Sequence, residues 1–110
     1  MKKAKIFMHQ NWAGTLIEDD EGFHFKYEKE YLTIENSEPI SLTLPLASSI
    51  YSSNILFPFF DGLIPEGWLL DIAEKNWKLN MRDRMGILLV TCKDCIGAVS
   101  VEPFELNEDE

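Results

Sequence analysis

Apolar and polar residues alternate with a period of two in the first part of the chain, as in strands that bury one face. Residues 4–9, 12–17 and 23–28 show this alternation, separated by turn or loop residues. A fourth alternating run covers residues 40–46, where every second position is isoleucine or leucine. Pro45 marks this run as an edge strand or a strand end. The pattern therefore predicts four strands.

A serine-rich loop follows these runs, and beyond it the apolar residues recur at helical spacing. This spacing predicts helices over about 55–63, 65–78 and 81–91, with Asn80 as the N-cap of the third. Residues 96–104 return to a strand pattern. The order of elements predicts an α+β domain, in which a mainly antiparallel sheet of about five strands has three helices packed to one side.

The length of 110 residues and the hydrophobic fraction of 45% predict one folded domain with a single core. We assign residues 1–104 to this domain. Residues 105–110 are polar and acidic, and we predict that they form a disordered tail.

The formal net charge of −9 narrows the classes of partner. An acidic chain repels phosphate backbones, and no basic cluster longer than Lys2-Lys3 offsets this, so direct nucleic-acid binding is not expected. A basic protein surface is the better electrostatic match. The sequence has neither the apolar core of a signal peptide nor a run long enough to span a membrane, so we predict a cytoplasmic location.

The second predicted helix carries a tryptophan away from its apolar side. Pro65 suits the first helical position, and the helix dipole favours Glu66 in the first turn. At about 100° per residue, Trp68 lies roughly 130° from the centre of the apolar arc, with Asp71 among its neighbours. The arc itself contains Leu69, Leu70, Ile72, Ala73 and Trp77. Trp12, after the first turn, and Trp77 are expected in or near the core.

An exposed tryptophan near a helix start is typical of a binding hot spot. Gly67 leaves its indole unshielded. A helix that is rotated, or covered on both sides, would instead bury Trp68. The predicted partner-binding residues are Asp61, Glu66, Gly67, Trp68 and Asp71.

Three motifs carry a resemblance to a known family. Residues 59–68 read FFDGLIPEGW, residues 12–16 read WAGTL, and residues 94–99 read DCIGAV. In order and spacing they resemble the HipA N-terminal region family, with its FFxxLLPEGW and DCxGAV signatures, over roughly residues 4–103. Cys92 is a departure, because many members of the family have glycine at that position.

In HipA-type toxins this region precedes a Ser/Thr kinase core on the same chain. Here it is expected to stand alone, which resembles the HipS-type small proteins of three-part HipB–HipS–HipT toxin–antitoxin systems. The resemblance implies an antitoxin that binds and neutralises a HipT-type Ser/Thr kinase, and it leaves open a HipB-like DNA-binding protein as a third member. The alternative is a non-catalytic lobe that completes or activates a split kinase.

No catalytic role or cofactor is predicted for the chain itself. It lacks the glycine-rich and acidic motifs with which kinases hold ATP and its metal ions, and its six glycines are scattered.

Cys92 and Cys95 form a C-x-x-C motif, which can be a redox pair or half of a zinc site. Zinc requires four ligands, and the only other soft candidates, His9 and His24, lie far upstream and are interpreted as surface strand residues. We therefore expect two reduced cysteines, with Cys95 packed in the core. A redox or metal module is kept as the lesser alternative.

Overall fold

A computed structural model describes residues 2–64, 67, 83–91 and 98–104. Within these residues the strands form one five-stranded sheet in the order β4-β3-β2-β1-β5, and every pair of neighbours is antiparallel. The elements are β1 Lys2–Met8, β2 Asn11–Asp19, β3 Gly22–Tyr27, α1 Lys29–Leu32, β4 Tyr51–Ser53, α2 Pro58–Asp61, α3 Arg84–Thr91 and β5 Val99–Pro103.

The period-two pattern places one face of the sheet in the hydrophobic core. Alternate residues of four strands are buried there, namely Ala4, Ile6, Met8, Leu16, Phe23, Phe25, Tyr27, Val99 and Val101. Phe60 of α2 and Met85 and Leu88 of α3 belong to the same core cluster. The predicted α+β class, with an antiparallel sheet and helices on one side, is confirmed.

A bulge between β1 and β2 decides which way the first tryptophan points. Ile6 pairs with Gly14 and Phe7 pairs with Trp12, so Ala13 is an extra residue on β2. The extra residue shifts Trp12 from the core face to the outer face, where it is 37% exposed. The expectation that Trp12 lies in or near the core is therefore wrong.

The predicted strand over residues 40–46 is also wrong. This segment is a turn, closed on itself by an isolated bridge between Ser41 and Leu44. Ile40 and Leu44 are buried, but Leu42 between them is 94% exposed, so the alternate apolar residues do not share a face. The fourth strand of the sheet is Tyr51–Ser53, in a segment for which we predicted a loop.

The predicted helices are partly confirmed. Helix 55–63 shortens to α2, and helix 81–91 begins later, as α3, with the Asp83 side chain accepting a hydrogen bond from the Gly86 N–H at 2.9 Å. Asp83 thus caps α3, whereas Asn80 lies outside the described residues. Helix α1 was not predicted. Among the described residues, no helix is both long and apolar enough to cross a bilayer.

Candidate protein-docking site

The segment that leads into the predicted site is anchored by aromatic packing. Pro58 occupies the first turn of α2, where its missing N–H costs nothing. Phe60 is fully buried, with its ring centroid 5.6 Å from Phe25 and 5.2 Å from Phe59. Leu63 and Ile64 continue the packing against the core. The backbone is therefore fixed as far as Ile64.

Asp61, the first of the predicted contact residues, forms an ion pair within the chain. Its Oδ1 accepts a hydrogen bond from Nε of Arg84 at 2.7 Å, and the two side chains are 43% and 36% exposed. This pair joins the end of α2 to the start of α3. Residues 62–83, which contain the other predicted contact residues, therefore begin and end at the same place on the domain.

The start of α3 is held from the sheet as well. Nζ of Lys2 lies 3.1 Å from Oδ2 of Asp83, the capping residue. The hydrogen bond to Asp83 raises the pKa of Lys2 above its ordinary value. Both ends of the candidate segment are thus attached to the sheet domain, one by packed rings and one by charged groups.

Gly67 has a φ of 81° and is exposed. This backbone conformation is outside the right-handed helical region and favours glycine. Gly67 itself is therefore not in a right-handed helical conformation, and the other residues of the predicted helix 65–78 lie outside the described residues. The reason for the glycine is its backbone angle, since a Cβ there would meet no atom within 4 Å. Glu66, Trp68 and Asp71 lie outside the described residues, as does Trp77.

Tyrosine hydroxyl groups hold a second region, residues 38–46, which we call the clamped loop. The hydroxyl of buried Tyr27 accepts from the Ile40 N–H at 3.0 Å and donates to the Leu44 carbonyl. The hydroxyl of Tyr31 donates to the Glu38 carbonyl at 2.6 Å. These bonds satisfy backbone groups that a strand would otherwise pair, which explains why the loop is not a strand.

A third tyrosine hydroxyl binds the other end of the clamped loop, and burial shifts the pKa of two of the three tyrosines. Tyr51, on β4, donates to the Pro45 carbonyl at 2.6 Å. Burial raises the pKa of Tyr27 to about 12 and also raises the pKa of Tyr31. Tyr27 and Tyr31 therefore keep their hydroxyl protons well above neutral pH. Sequence reasoning missed the clamped loop, because a tyrosine gives no signal of which distant backbone group it bonds.

On the outer face of the sheet, His24 joins β3 to two neighbouring elements. Its Nδ1 lies 2.8 Å from Oγ of Ser52, and its Nε2 lies 3.0 Å from Oδ1 of Asp19. The Glu21 N–H and then His24 bind the Asp19 carboxylate and lower its pKa. His24 is thus a strand residue, as expected, whereas His9 lies in the turn after β1 with a φ of 57°.

Metal binding finds no support in the described part of the chain. There, no group of three or more His, Cys, Asp or Glu side chains is placed to hold an ion. The C-x-x-C residues Cys92 and Cys95 lie outside the described residues.

Comparisons with known proteins agree with the fold and with the motifs. Residues 4–102 match the family described as HipA N-terminal domain. An uncharacterized protein of Haemophilus influenzae is 34% identical over 102 residues, which is 93% of this chain and 92% of that protein. A solved structure described as the N-terminal domain of HipA toxin has a TM-score of 0.74 and 31% identity, covering 96% of this chain and 95% of that one.

Proposed function

This chain belongs to the HipA N-terminal domain family, and on that premise we propose that it is a non-catalytic antitoxin that binds and neutralises a HipT-type Ser/Thr kinase. The observation that carries the proposal is the match to a toxin domain along nearly the whole of this chain. A domain of this kind has the shape of one piece of a toxin, so it suits docking on the remaining piece. The proposal implies a cytoplasmic location and leaves room for a HipB-like DNA-binding protein in the complex.

The proposed contact centres on Trp68. Its indole enters an apolar cleft of the kinase, and burial of one indole supplies a large share of the binding energy of an interface. Glu66 and Asp71 pair with basic residues at the edge of that cleft. An occupied cleft prevents ATP and the protein substrate from being aligned for phosphoryl transfer.

Asp61 contributes in a different way from the other carboxylates. Because its Oδ1 accepts a hydrogen bond from Arg84, we propose that Asp61 approaches the kinase together with that guanidinium. Gly67 supports the contact through its positive φ, which turns the backbone immediately before the tryptophan.

Net charge supports the same partner. A chain with a formal charge of −9 attracts a basic surface over a distance set by salt, about 10 Å at 0.1 M. Association with the kinase should therefore slow as ionic strength rises, because electrostatic steering acts mainly on the association rate.

Replacement of the tryptophan tests the proposal. Trp68→Ala should fold like the wild type and bind the kinase encoded by the neighbouring reading frame at least tenfold more weakly, about 1.4 kcal/mol. Isothermal titration calorimetry gives the affinity, and co-expression gives the rescue of growth. Trp12→Ala is the matched control, because Trp12 lies on the outer face of the sheet. The affinity of this variant for the kinase should equal that of the wild type.

Two outcomes would contradict the proposal. Unchanged affinity and rescue with Trp68→Ala would remove the proposed contact. A kinase assay in which the added protein raises phosphorylation, instead of lowering it, would identify the chain as a lobe that completes a split kinase.

A further inference from the structure

We propose that Leu42, at the tip of the clamped loop, is a second docking point and inserts into an apolar pocket of the same kinase, a pocket bordered by basic side chains. This inference rests on the proposed function. It adds a contact from a different part of the fold, between β3 and β4, that none of the family motifs contains.

The exposure of Leu42 is the first observation. The side chain is 94% exposed, while Ile40 and Leu44 on either side of it are buried. A single exposed leucine is common on protein surfaces and needs no explanation by itself. What distinguishes Leu42 is that the residues around it are fixed in place.

Fixation of the loop is the second observation. Tyr27 bonds the backbone on both sides of Leu42, at the Ile40 N–H and the Leu44 carbonyl. Between these points the Leu44 N–H donates to the Ser41 carbonyl at 3.1 Å, which closes the turn. Because the backbone on both sides of Leu42 is already hydrogen-bonded, binding would order the Leu42 side chain but not the loop, so less conformational entropy is lost when this leucine is buried.

The charges along the sequence on either side of the loop indicate the chemistry of the pocket. From residue 30 to residue 74 the chain contains no lysine or arginine, and its charged residues are Glu30, Glu35, Glu38, Asp61, Glu66, Asp71 and Glu74. Glu38 is the charged residue of the clamped loop, and Leu42 and Trp68 both lie within this stretch of the sequence, which has no basic residue. Basic side chains around an apolar pocket complement it, and the like charge of phosphate groups argues against nucleic acid or an anionic membrane as the occupant.

Two further apolar side chains are exposed, one at the end of the loop and one after it. Leu46 and Ile50 are exposed beyond Pro45, whose carbonyl is bonded by Tyr51. We expect Leu42, the most exposed of the three, to be the centre of the contact.

Truncation of Leu42 is the experiment. Leu42→Ala and Ile55→Ala remove similar aliphatic groups from exposed positions, Ile55 being 67% exposed but outside the clamped loop. Surface plasmon resonance with the kinase of the neighbouring reading frame should show at least a tenfold loss of affinity for Leu42→Ala, expressed in faster dissociation. Ile55→Ala should bind like the wild type, and both variants should keep the wild-type melting temperature.

Three other results would each contradict the inference, and they differ in what they imply for the proposed function. Wild-type affinity for Leu42→Ala, with weakened binding for Trp68→Ala, overturns this inference and leaves the proposed function standing. No binding of the kinase by the wild-type protein overturns both. If sedimentation shows a wild-type dimer that Leu42→Ala dissolves, while kinase affinity is unchanged, the occupant of the contact is a second copy of this chain and the inference is wrong.

Discussion

The α2 segment and the clamped loop are held in place by different forces. Residues 58–64 are fixed because aromatic rings pack beneath them, with Phe60 fully buried among Phe25, Phe57 and Phe59. Residues 38–46 have almost no regular structure and are fixed by tyrosine hydroxyls that bond their backbone. Each region contains a proposed contact residue, Asp61 in the first and Leu42 in the second.

Because the two regions are held by different interactions, different substitutions should destabilise them. Ring packing depends on volume, so it is lost when a side chain is shortened and is insensitive to pH. A hydrogen bond from a tyrosine hydroxyl depends on one oxygen atom and its proton. The clamped loop should therefore respond to a change that leaves the ring volume intact, whereas the α2 segment should not.

Phe60→Ala should give the largest effect. Removing a fully buried phenylalanine leaves a cavity beneath α2 and costs about 3–5 kcal/mol of the free energy of unfolding. For a domain of this size that lowers the melting temperature by more than about 10 °C, which differential scanning calorimetry detects.

Ile55→Ala, three residues before α2, is the control for this change. Because Ile55 is mostly exposed, its truncation should alter the free energy of unfolding by less than about 0.5 kcal/mol. Equal losses for the two variants would mean that α2 is not anchored through Phe60.

Tyr27→Phe should give the next largest effect, and it targets the clamped loop alone. The ring stays, but the Ile40 N–H and the Leu44 carbonyl lose their partner in a buried place, which costs about 1–3 kcal/mol. Urea unfolding at neutral pH measures this. Hydrogen exchange at the Ile40 amide should accelerate, while the amides of α2 should exchange as in the wild type.

The pH dependence of the stability difference between wild type and Tyr27→Phe gives a second measurement. The pKa of Tyr27 is raised from 10.0 to about 12, mainly by burial. A raised pKa means that the folded state holds its proton more tightly, so this contribution is complete below pH 10 and is lost as the pH rises towards 12. The difference in stability between wild type and Tyr27→Phe should narrow over that interval. If the stability difference between wild type and Tyr27→Phe stays constant between pH 10 and 12, ionisation of the Tyr27 hydroxyl is not linked to folding.

Sequence reasoning found the parts of the fold that have a long, regular pattern. Strands β1, β2, β3 and β5 were predicted because one buried face imposes a period of two over five or more residues. The run over 40–46 shows the same period for another reason, since two buried residues flank an exposed one in a turn. Strands and helices of three or four residues, such as β4 and α1, are too short to carry a period.

Interactions between distant residues were beyond prediction. The side of the sheet on which Trp12 lies depends on one extra residue in β2, which no local pattern reveals. The sequence analysis singles out Gly67 for its missing side chain, whereas the structure shows a positive φ there. Asp61 is singled out as a contact residue, but the pattern gives no sign of its hydrogen-bond partner Arg84, 23 residues away. Local sequence marks such residues as unusual without showing what they contact.

Asp61→Asn should lower stability less than Phe60→Ala or Tyr27→Phe and gives the sharpest test of the role of Asp61. Since both side chains of the pair are more than a third exposed, loss of the charge should cost less than about 1 kcal/mol of folding free energy. Its effect on kinase affinity should be measured both in the wild type and in an Arg84→Ala background. If Asp61 acts by joining α2 to α3 through Arg84, its effect disappears in that background; if it contacts the kinase directly, the loss of affinity stays the same. The size of the coupling between the two changes thus separates an internal ion pair from an interfacial one, because a double-mutant cycle removes everything that the two side chains do independently.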